Sequence, residues 1–178
     1  RSKMSYLNLT VELAEKSNFC NRYLELCSRY SESLLMDTTD LRQRYPRSLA
    51  NITKKVVDTK LVKSILNELG YPYKYFGGEK FYRLYLLKKE KYEVWFHLEL
   101  YKNSIFDGHL DPHVYIIYNE EYFAGGTFPC IFDSSGGIKP TKYMLRPVYT
   151  GEVLPELIKE LIDLAFSYVR EFEKLKIK

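Results

Sequence analysis

The chain has 178 residues, of which 46% are hydrophobic and 28% are charged, and this composition is typical of a globular protein that forms one domain around a hydrophobic core. Its net charge of +4 is smaller than the basic excess expected of most nucleic-acid-binding proteins. No apolar run of the sequence is long enough to form a transmembrane helix.

The sequence begins with a segment whose periodicity allows two interpretations. Between Leu7 and Leu13, leucine and valine alternate with other residues, which favours a strand over residues 5–13. The glutamate and alanine residues that follow also allow the start of a helix. From Ser17 to about Met36, apolar residues recur at the spacing of an amphipathic helix, so the first clear helix is predicted there.

A second helix is predicted over residues 52–69, where the apolar residues form one stripe. Gly70 is placed to cap its C-terminus, and Pro72 prevents its continuation. The pair Asp58-Thr59 could divide this helix into two pieces. The residues between the two helices are expected to form a connecting segment.

Residues 71–149 are predicted to form an antiparallel β-meander, because short apolar runs alternate with turn residues such as Gly77-Gly78. The predicted strands are residues 71–76, 80–88, 92–101, 111–119, 127–133 and 142–149. A long C-terminal helix is predicted over about residues 153–175. The predicted fold is therefore α+β and a single domain, residues 1–178, with an antiparallel sheet of about five to seven strands, two N-terminal helices between about residues 17 and 69, and one C-terminal helix.

All three histidines lie between residues 97 and 113, and acidic residues lie among them. Imidazole and carboxylate side chains are ligands for zinc, manganese and iron, and two strands could present four of them together. Those four residues are His97, Glu99, Asp111 and His113. The spacing matches no zinc-enzyme motif, and ordinary turn and strand chemistry explains most of the cluster, so no metal and no cofactor is predicted.

Strand periodicity also predicts that the sheet has two different faces. A two-residue turn at Lys89-Glu90 would pair Tyr82 with His97, and the next hairpin would pair Glu99 with His113. One face is then a plain apolar core. The other face carries the predicted partner-binding residues, which are Tyr82, Trp95, His97, Glu99, Tyr101, Asp111, His113 and Tyr115. Because unpaired buried carboxylates are costly, we expect this face to be open to a ligand or a partner.

The leading functional hypothesis is a non-catalytic module that binds a protein partner. An inhibitor of the immunity or antitoxin type fits such a face, because carboxylates can mimic an anionic substrate. The alternative is a metal-dependent hydrolase or nuclease that uses the histidine cluster. A minor alternative is RNA binding, with bases stacked on Tyr82, Trp95, Tyr101 and Tyr115, which the balanced charge of residues 61–120 opposes. The basic residues expected to contribute to such binding are Arg42, Arg44 and Lys54.

Cysteine usage predicts a cytoplasmic location. Cys20, Cys27 and Cys130 show neither a metal-binding nor a disulfide spacing, and an odd, sparse set of cysteines is typical of a reducing compartment. The sequence shows no evident signal peptide.

Overall fold

A computed structural model of the chain describes residues 6–30, 54–55, 59–102, 108–135, 145–149 and 151–175. Within these ranges the helices are α1 (Tyr6–Lys16), α2 (Phe19–Arg29), α3 (Thr59–Leu69), α4 (Phe128–Ser135) and α5 (Leu154–Glu173). The strands are β1 (Lys54–Lys55), β2 (Tyr73–Phe76), β3 (Phe81–Lys88), β4 (Tyr92–Lys102), β5 (Gly108–Tyr118), β6 (Glu121–Thr127) and β7 (Val148–Tyr149).

The predicted α+β fold with an antiparallel meander is confirmed. Strands β2 to β6 lie side by side in chain order, and each pairs with its neighbour in the antiparallel sense. The two short strands add to this sheet, because β1 pairs with the end of β4 and β7 pairs with the start of β5. The long C-terminal helix is also confirmed as α5. No helix of the described residues is long and apolar enough to span a membrane.

The hydrophobic core lies between one face of the sheet and the helices α1 to α5. Phe128 of α4 is at its centre, where its ring meets the edges or faces of Phe19, Tyr23 and Phe96 at centroid distances of 5.1 to 6.1 Å. The even-numbered residues of β4, from Val94 to Leu100, all point into this core. Full burial of such a side chain contributes roughly 1.5–3 kcal/mol to folding, so the core fixes which side of β4 faces the helices.

The strand interpretation of residues 5–13 is wrong, because this segment belongs to helix α1. Leu9 and Leu13 are one helical turn apart and both are buried, whereas Val11 between them is only half-buried. The apparent alternation therefore arises because Val11, which is only half-buried, lies in sequence between two leucines of the buried helical stripe. A short apolar run of this kind fits both periods, and packing against the sheet decides between them.

The predicted strand over residues 127–133 is also wrong. The strand in this region is β6, which ends at Thr127, and α4 begins immediately after it. The Thr127 hydroxyl accepts a hydrogen bond from the Cys130 amide at 3.1 Å, as an N-terminal cap does, and Pro129 is tolerated in the first turn. Ile131 and Phe132 then join Phe128 in the core at helical spacing.

Three other predicted elements include residues that lie outside the described ranges. Of the helix predicted over residues 52–69, residues from Thr59 form α3, Lys54–Lys55 instead belong to β1, and Asp58 lies outside the described residues. Of the predicted strand over residues 142–149, Val148 and Tyr149 form β7, and residues 142–144 lie outside the described residues. The predicted end of the first helix near Met36 also lies outside them, and α2 ends at Arg29.

Candidate functional site

The face of the sheet that points away from the core carries a ladder of polar and aromatic side chains from β4 and β5. Its rungs are formed by residues directly opposite each other: Tyr101 with His109, Glu99 with Asp111, His97 with His113, and Trp95 with Tyr115. We call these eight residues the histidine face. It contains seven of the eight residues predicted to bind a partner, all except Tyr82.

The predicted register between β4 and β5 is wrong by two residues, although the predicted face is right. Glu99 was expected opposite His113 and lies opposite Asp111. The reason is that β5 begins at Gly108 rather than at Asp111. A Cβ at Gly108 would overlap the carbonyl oxygen of Tyr101, so only glycine allows the strands to approach there. A shift of two residues keeps each side chain on its face and brings His109 into the ladder.

The prediction for Tyr82 is wrong, because its side chain is fully buried in the core on the opposite face. The turn between β3 and β4 lies at Glu90-Lys91, one residue later than predicted, which shifts the pairing by two residues. A β-bulge between Tyr85 and Leu87 takes one of these back, so the net shift beyond it is one residue. A one-residue shift exchanges the two faces of the strand. Arg83 therefore lies opposite His97, where Tyr82 was expected.

Three side chains of the histidine face converge on one point. The Nε2 atom of His113 lies 3.5 Å from Oδ2 of Asp111 and 4.0 Å from Oε1 of Glu99. One potential ligand atom from each of the three residues lies within 4.8 Å of the others. We call Glu99, Asp111 and His113 the triad. Asp111 and His113 are buried, with exposures of 5% and 8%.

The spacing of the triad fits a bound metal ion better than direct hydrogen bonds. Nitrogen and oxygen ligands lie about 2.0–2.2 Å from zinc, so two ligands of a tetrahedral ion are separated by about 3.4 Å. The separations from His113 are close to this value and longer than an ordinary hydrogen bond. The buried Nε2 atom of His113 has no hydrogen-bond partner among the described residues. The residues present therefore fit a divalent ion.

Neighbouring hydroxyl groups orient the triad. Tyr101 donates a hydrogen bond to Oε2 of Glu99 at 2.6 Å, which turns the other carboxylate oxygen, Oε1, towards His113. The hydroxyl of Tyr115 lies 2.9 Å from Nδ1 of His113. With Nε2 on a metal, Nδ1 would carry the proton and donate a hydrogen bond to the Tyr115 oxygen. Such outer contacts fix the tautomer and the orientation of a ligating histidine.

His97, the fourth predicted ligand, is engaged elsewhere. Its Nε2 atom accepts a hydrogen bond from Nε of Arg83 at 2.9 Å, so that nitrogen is not available to the ion that the triad would hold. Burial, together with smaller contributions from the nearby His113 and Arg83, lowers the pKa of His97 to about 3. His97 is therefore neutral at physiological pH and belongs to the support of the site rather than to its ligands.

His109 is buried against an aromatic ring. Its imidazole stacks on Tyr101 with a centroid distance of 5.0 Å and an interplanar angle of 5°. Neither ring nitrogen has a hydrogen-bond partner among the described residues. Burial, followed by the positive charge of Arg146, lowers the pKa of His109 to about 3, although Asp111 acts in the opposite direction.

Two arginines that the sequence did not single out contact the histidine face. Nε of Arg146 lies 3.6 Å from Oδ1 of Asp111. Burial alone would raise the pKa of Asp111, but the interactions with His113 and Arg146 outweigh it and lower the pKa below its ordinary value, so the carboxylate is ionised. Arg83 lies against Trp95 and Phe76, with its guanidinium carbon 3.7 and 4.7 Å from the two ring centroids. A correct prediction of the β-bulge would have placed Arg83 opposite His97. Arg146 is distant in sequence from Asp111, and no local sequence pattern indicates their contact.

An exposed aromatic patch adjoins the other end of the histidine face. It consists of Tyr122 from β6, which is 55% exposed, with Trp95 and Tyr115. The ring of Tyr122 meets the other two edge-on, at centroid distances of 6.0 and 5.3 Å. Of the residues predicted to contact RNA, Arg42 and Arg44 lie outside the described residues and Lys54 lies in β1.

The arrangement as a whole can hold a divalent ion at a buried end of the sheet, beside two cationic side chains. Three protein ligands leave at least one coordination position for water, as catalytic zinc sites do. Comparison of the chain with protein-family models, with the sequences of curated proteins and with solved structures gave no match.

Proposed function

We propose that the protein binds a divalent transition metal through Glu99, Asp111 and His113 and acts as a metal-dependent hydrolase. The observation that carries the proposal is the Nε2 atom of His113, which is buried, has no hydrogen-bond partner among the described residues and faces two carboxylates at 3.5 and 4.0 Å. A polar atom buried without a partner costs roughly 1–3 kcal/mol, and a metal ion would remove that cost.

The hydrolytic part of the proposal follows from the number of ligands. Two carboxylates and one imidazole suit zinc, manganese or iron, and they leave coordination positions for water. An ion bound there would lower the pKa of its water towards neutrality and so supply hydroxide as a nucleophile. The hydroxyls of Tyr101 and Tyr115 would hold two of the ligands in place.

Metal titration of the purified protein tests this proposal. After treatment with a chelator, the protein is titrated with Zn²⁺ and Mn²⁺ by calorimetry, and bound metal is measured by elemental analysis. We expect one ion per chain. Thermal unfolding should also shift upwards, since a metal at a hundred times its Kd stabilises the folded state by about 2.7 kcal/mol.

A matched pair of variants provides the control. His97 and His113 lie directly opposite each other in the ladder, but only His113 belongs to the triad. His113→Gln should abolish metal binding, whereas His97→Gln should retain it, with both proteins folded by circular dichroism. Equal metal binding by the two variants, or none by the wild type, would contradict the proposal.

Binding of a partner protein is our second proposed function, of the inhibitor type that blocks the active site of another protein. The observation that favours it is the exposed aromatic patch, because aromatic residues such as Tyr and Trp are enriched at protein interfaces. This function would be favoured if the metal-free wild type formed a stoichiometric complex with a partner protein and the Tyr122→Ser variant did not. Retention of the complex in that variant would contradict the proposal that the patch contacts the partner.

We also propose a cytoplasmic location. Cys20, Cys27 and Cys130, all in the described part of the chain, form no disulfide, and cysteines without disulfides are usual in a reducing compartment. Export of the native protein from its cells, detected by fractionation, would contradict this proposal.

A further inference from the structure

We infer that the substrate of the proposed metal centre is a phosphate monoester, and that Arg83 binds its phosphate group. This inference rests on the proposed function, because it concerns the substrate of the same site. Its independent support is the contact of Arg146 with Asp111, the contact of Arg83 with the neighbouring His97, and the way in which Arg83 is held.

The charge of the site selects an anion. A divalent ion, Arg83 and Arg146 together carry four positive charges, and Glu99 and Asp111 supply at most two negative ones. The histidines add no charge, since a ligating histidine is neutral and His97 accepts a hydrogen bond from Arg83. The loaded site would therefore carry an excess of at least two positive charges. A phosphate monoester, with about two negative charges at neutral pH, balances this excess, whereas a neutral ester or amide does not.

Arg83 is held in a position that suits phosphate binding. Its guanidinium group lies against the Trp95 and Phe76 rings, and its Nε donates to His97. No carboxylate of the described residues forms an ion pair with Arg83. The N–H groups on the two terminal nitrogens of the guanidinium remain, and such a planar pair of donors can bind two phosphate oxygens at once. Because the stacking fixes the group in advance, little side-chain entropy would be lost on binding.

The position of Arg83 relative to the triad is set by one imidazole ring. Arg83 donates to His97, and the ring of His97 lies 5.7 Å from the ring of His113, a member of the triad. We place the phosphate group beside the His97 ring, between the ion and Arg83. The reaction would balance as a hydrolysis: the oxygen of the metal-bound water bonds to phosphorus, the bond from phosphorus to the ester oxygen breaks, and the alcohol leaves with a proton from the water.

Phosphate binding to the loaded protein tests the inference. The wild type, loaded with Mn²⁺, is titrated with inorganic phosphate and is assayed with p-nitrophenyl phosphate and with the neutral ester p-nitrophenyl acetate. We expect Arg83→Gln to weaken phosphate binding at least tenfold and to raise the KM for the phosphate ester. Arg83→Lys should recover part of the affinity, because it restores the charge without the fork. Mn²⁺ stoichiometry should be unchanged in both variants.

The matched control is Arg22→Gln, which removes an exposed positive charge from α2, on the other side of the sheet. Its phosphate affinity should equal that of the wild type. Unchanged phosphate affinity in Arg83→Gln, or faster hydrolysis of the neutral ester than of the phosphate ester, would overturn the inference while the metal site stands. Failure of Mn²⁺ to bind the wild type would instead overturn the proposed function itself.

Discussion

Replacement of His109 by phenylalanine should stabilise the protein, and the gain should grow as the pH falls. His109 is 2% exposed, and its two ring nitrogens have no hydrogen-bond partner among the described residues. A buried polar group without a partner costs roughly 1–3 kcal/mol. Phenylalanine keeps the aromatic contact with Tyr101 and removes that cost, although its larger ring offsets part of the gain. We expect a net stabilisation of about 1 kcal/mol at pH 7.5.

The pH dependence follows from the lowered pKa of His109. Its pKa is about 3 in the folded protein against an ordinary value of 6.5, so between these values the unfolded chain binds a proton that the folded protein does not. The wild type therefore loses stability as the pH falls below 6.5, by up to about 1.4 kcal/mol per pH unit for this group. The His109→Phe variant lacks this loss, so its advantage should widen by roughly 2 kcal/mol between pH 7.5 and pH 5.

Urea unfolding at pH 7.5 and pH 5, followed by circular dichroism in the presence of a chelator, measures both effects. Tyr23→Phe provides the control, because a tyrosine does not titrate in this range and its substitution should cost the same at both pH values. An advantage for His109→Phe that stays constant or shrinks on acidification would refute the reasoning. It would show that His109 is protonated, or hydrogen-bonded, in the folded protein.

Three further substitutions test the packing that positions the site, each by urea unfolding at pH 7.5. Tyr23→Phe should cost about 1–2 kcal/mol, because the Tyr23 hydroxyl donates a buried hydrogen bond of 2.7 Å to the carbonyl oxygen of Leu145. Gly125→Ala should cost more than about 3 kcal/mol, because Gly125 has a φ of +114° and a Cβ there would overlap the carbonyl oxygen of Val114. Phe128→Ala should cost about 3–5 kcal/mol through the cavity that it leaves in the core. A loss below about 1 kcal/mol for Gly125→Ala or Phe128→Ala, or a stability equal to wild type for Tyr23→Phe, would contradict the packing described.

The sequence predicts the strongly periodic elements of the fold correctly. Helix α5 and strand β4 are recovered because their apolar residues fit only one period, and the two faces of β4 and β5 follow from that alternation. The apolar runs at residues 5–13 and 127–133 fit both a helix and a strand, so periodicity alone could not assign them. Contact with the rest of the core decides both in favour of a helix.

The candidate site could be predicted in its composition but not in its details. Alternation places Glu99, Asp111 and His113 on one face, and the two-residue error in the predicted register leaves that assignment intact. Whether His97 is a ligand depends on Arg83, which a β-bulge brings opposite it. A bulge leaves no clear mark in a single sequence, since it is set by how two strands fit rather than by the residues of one. The contact of Arg146 with Asp111 is likewise a product of tertiary folding.

The alternation along β4 and β5 also limits how this gene could change in length. Insertion or deletion of a single codon within either strand would send the phenylalanine and leucine side chains to solvent and the acidic ones into the apolar interior. Insertion or deletion of two codons would keep each side chain on its own face of the sheet but would move Glu99 away from Asp111. Length variation among descendants of this protein should therefore be confined to the stretches that connect the strands.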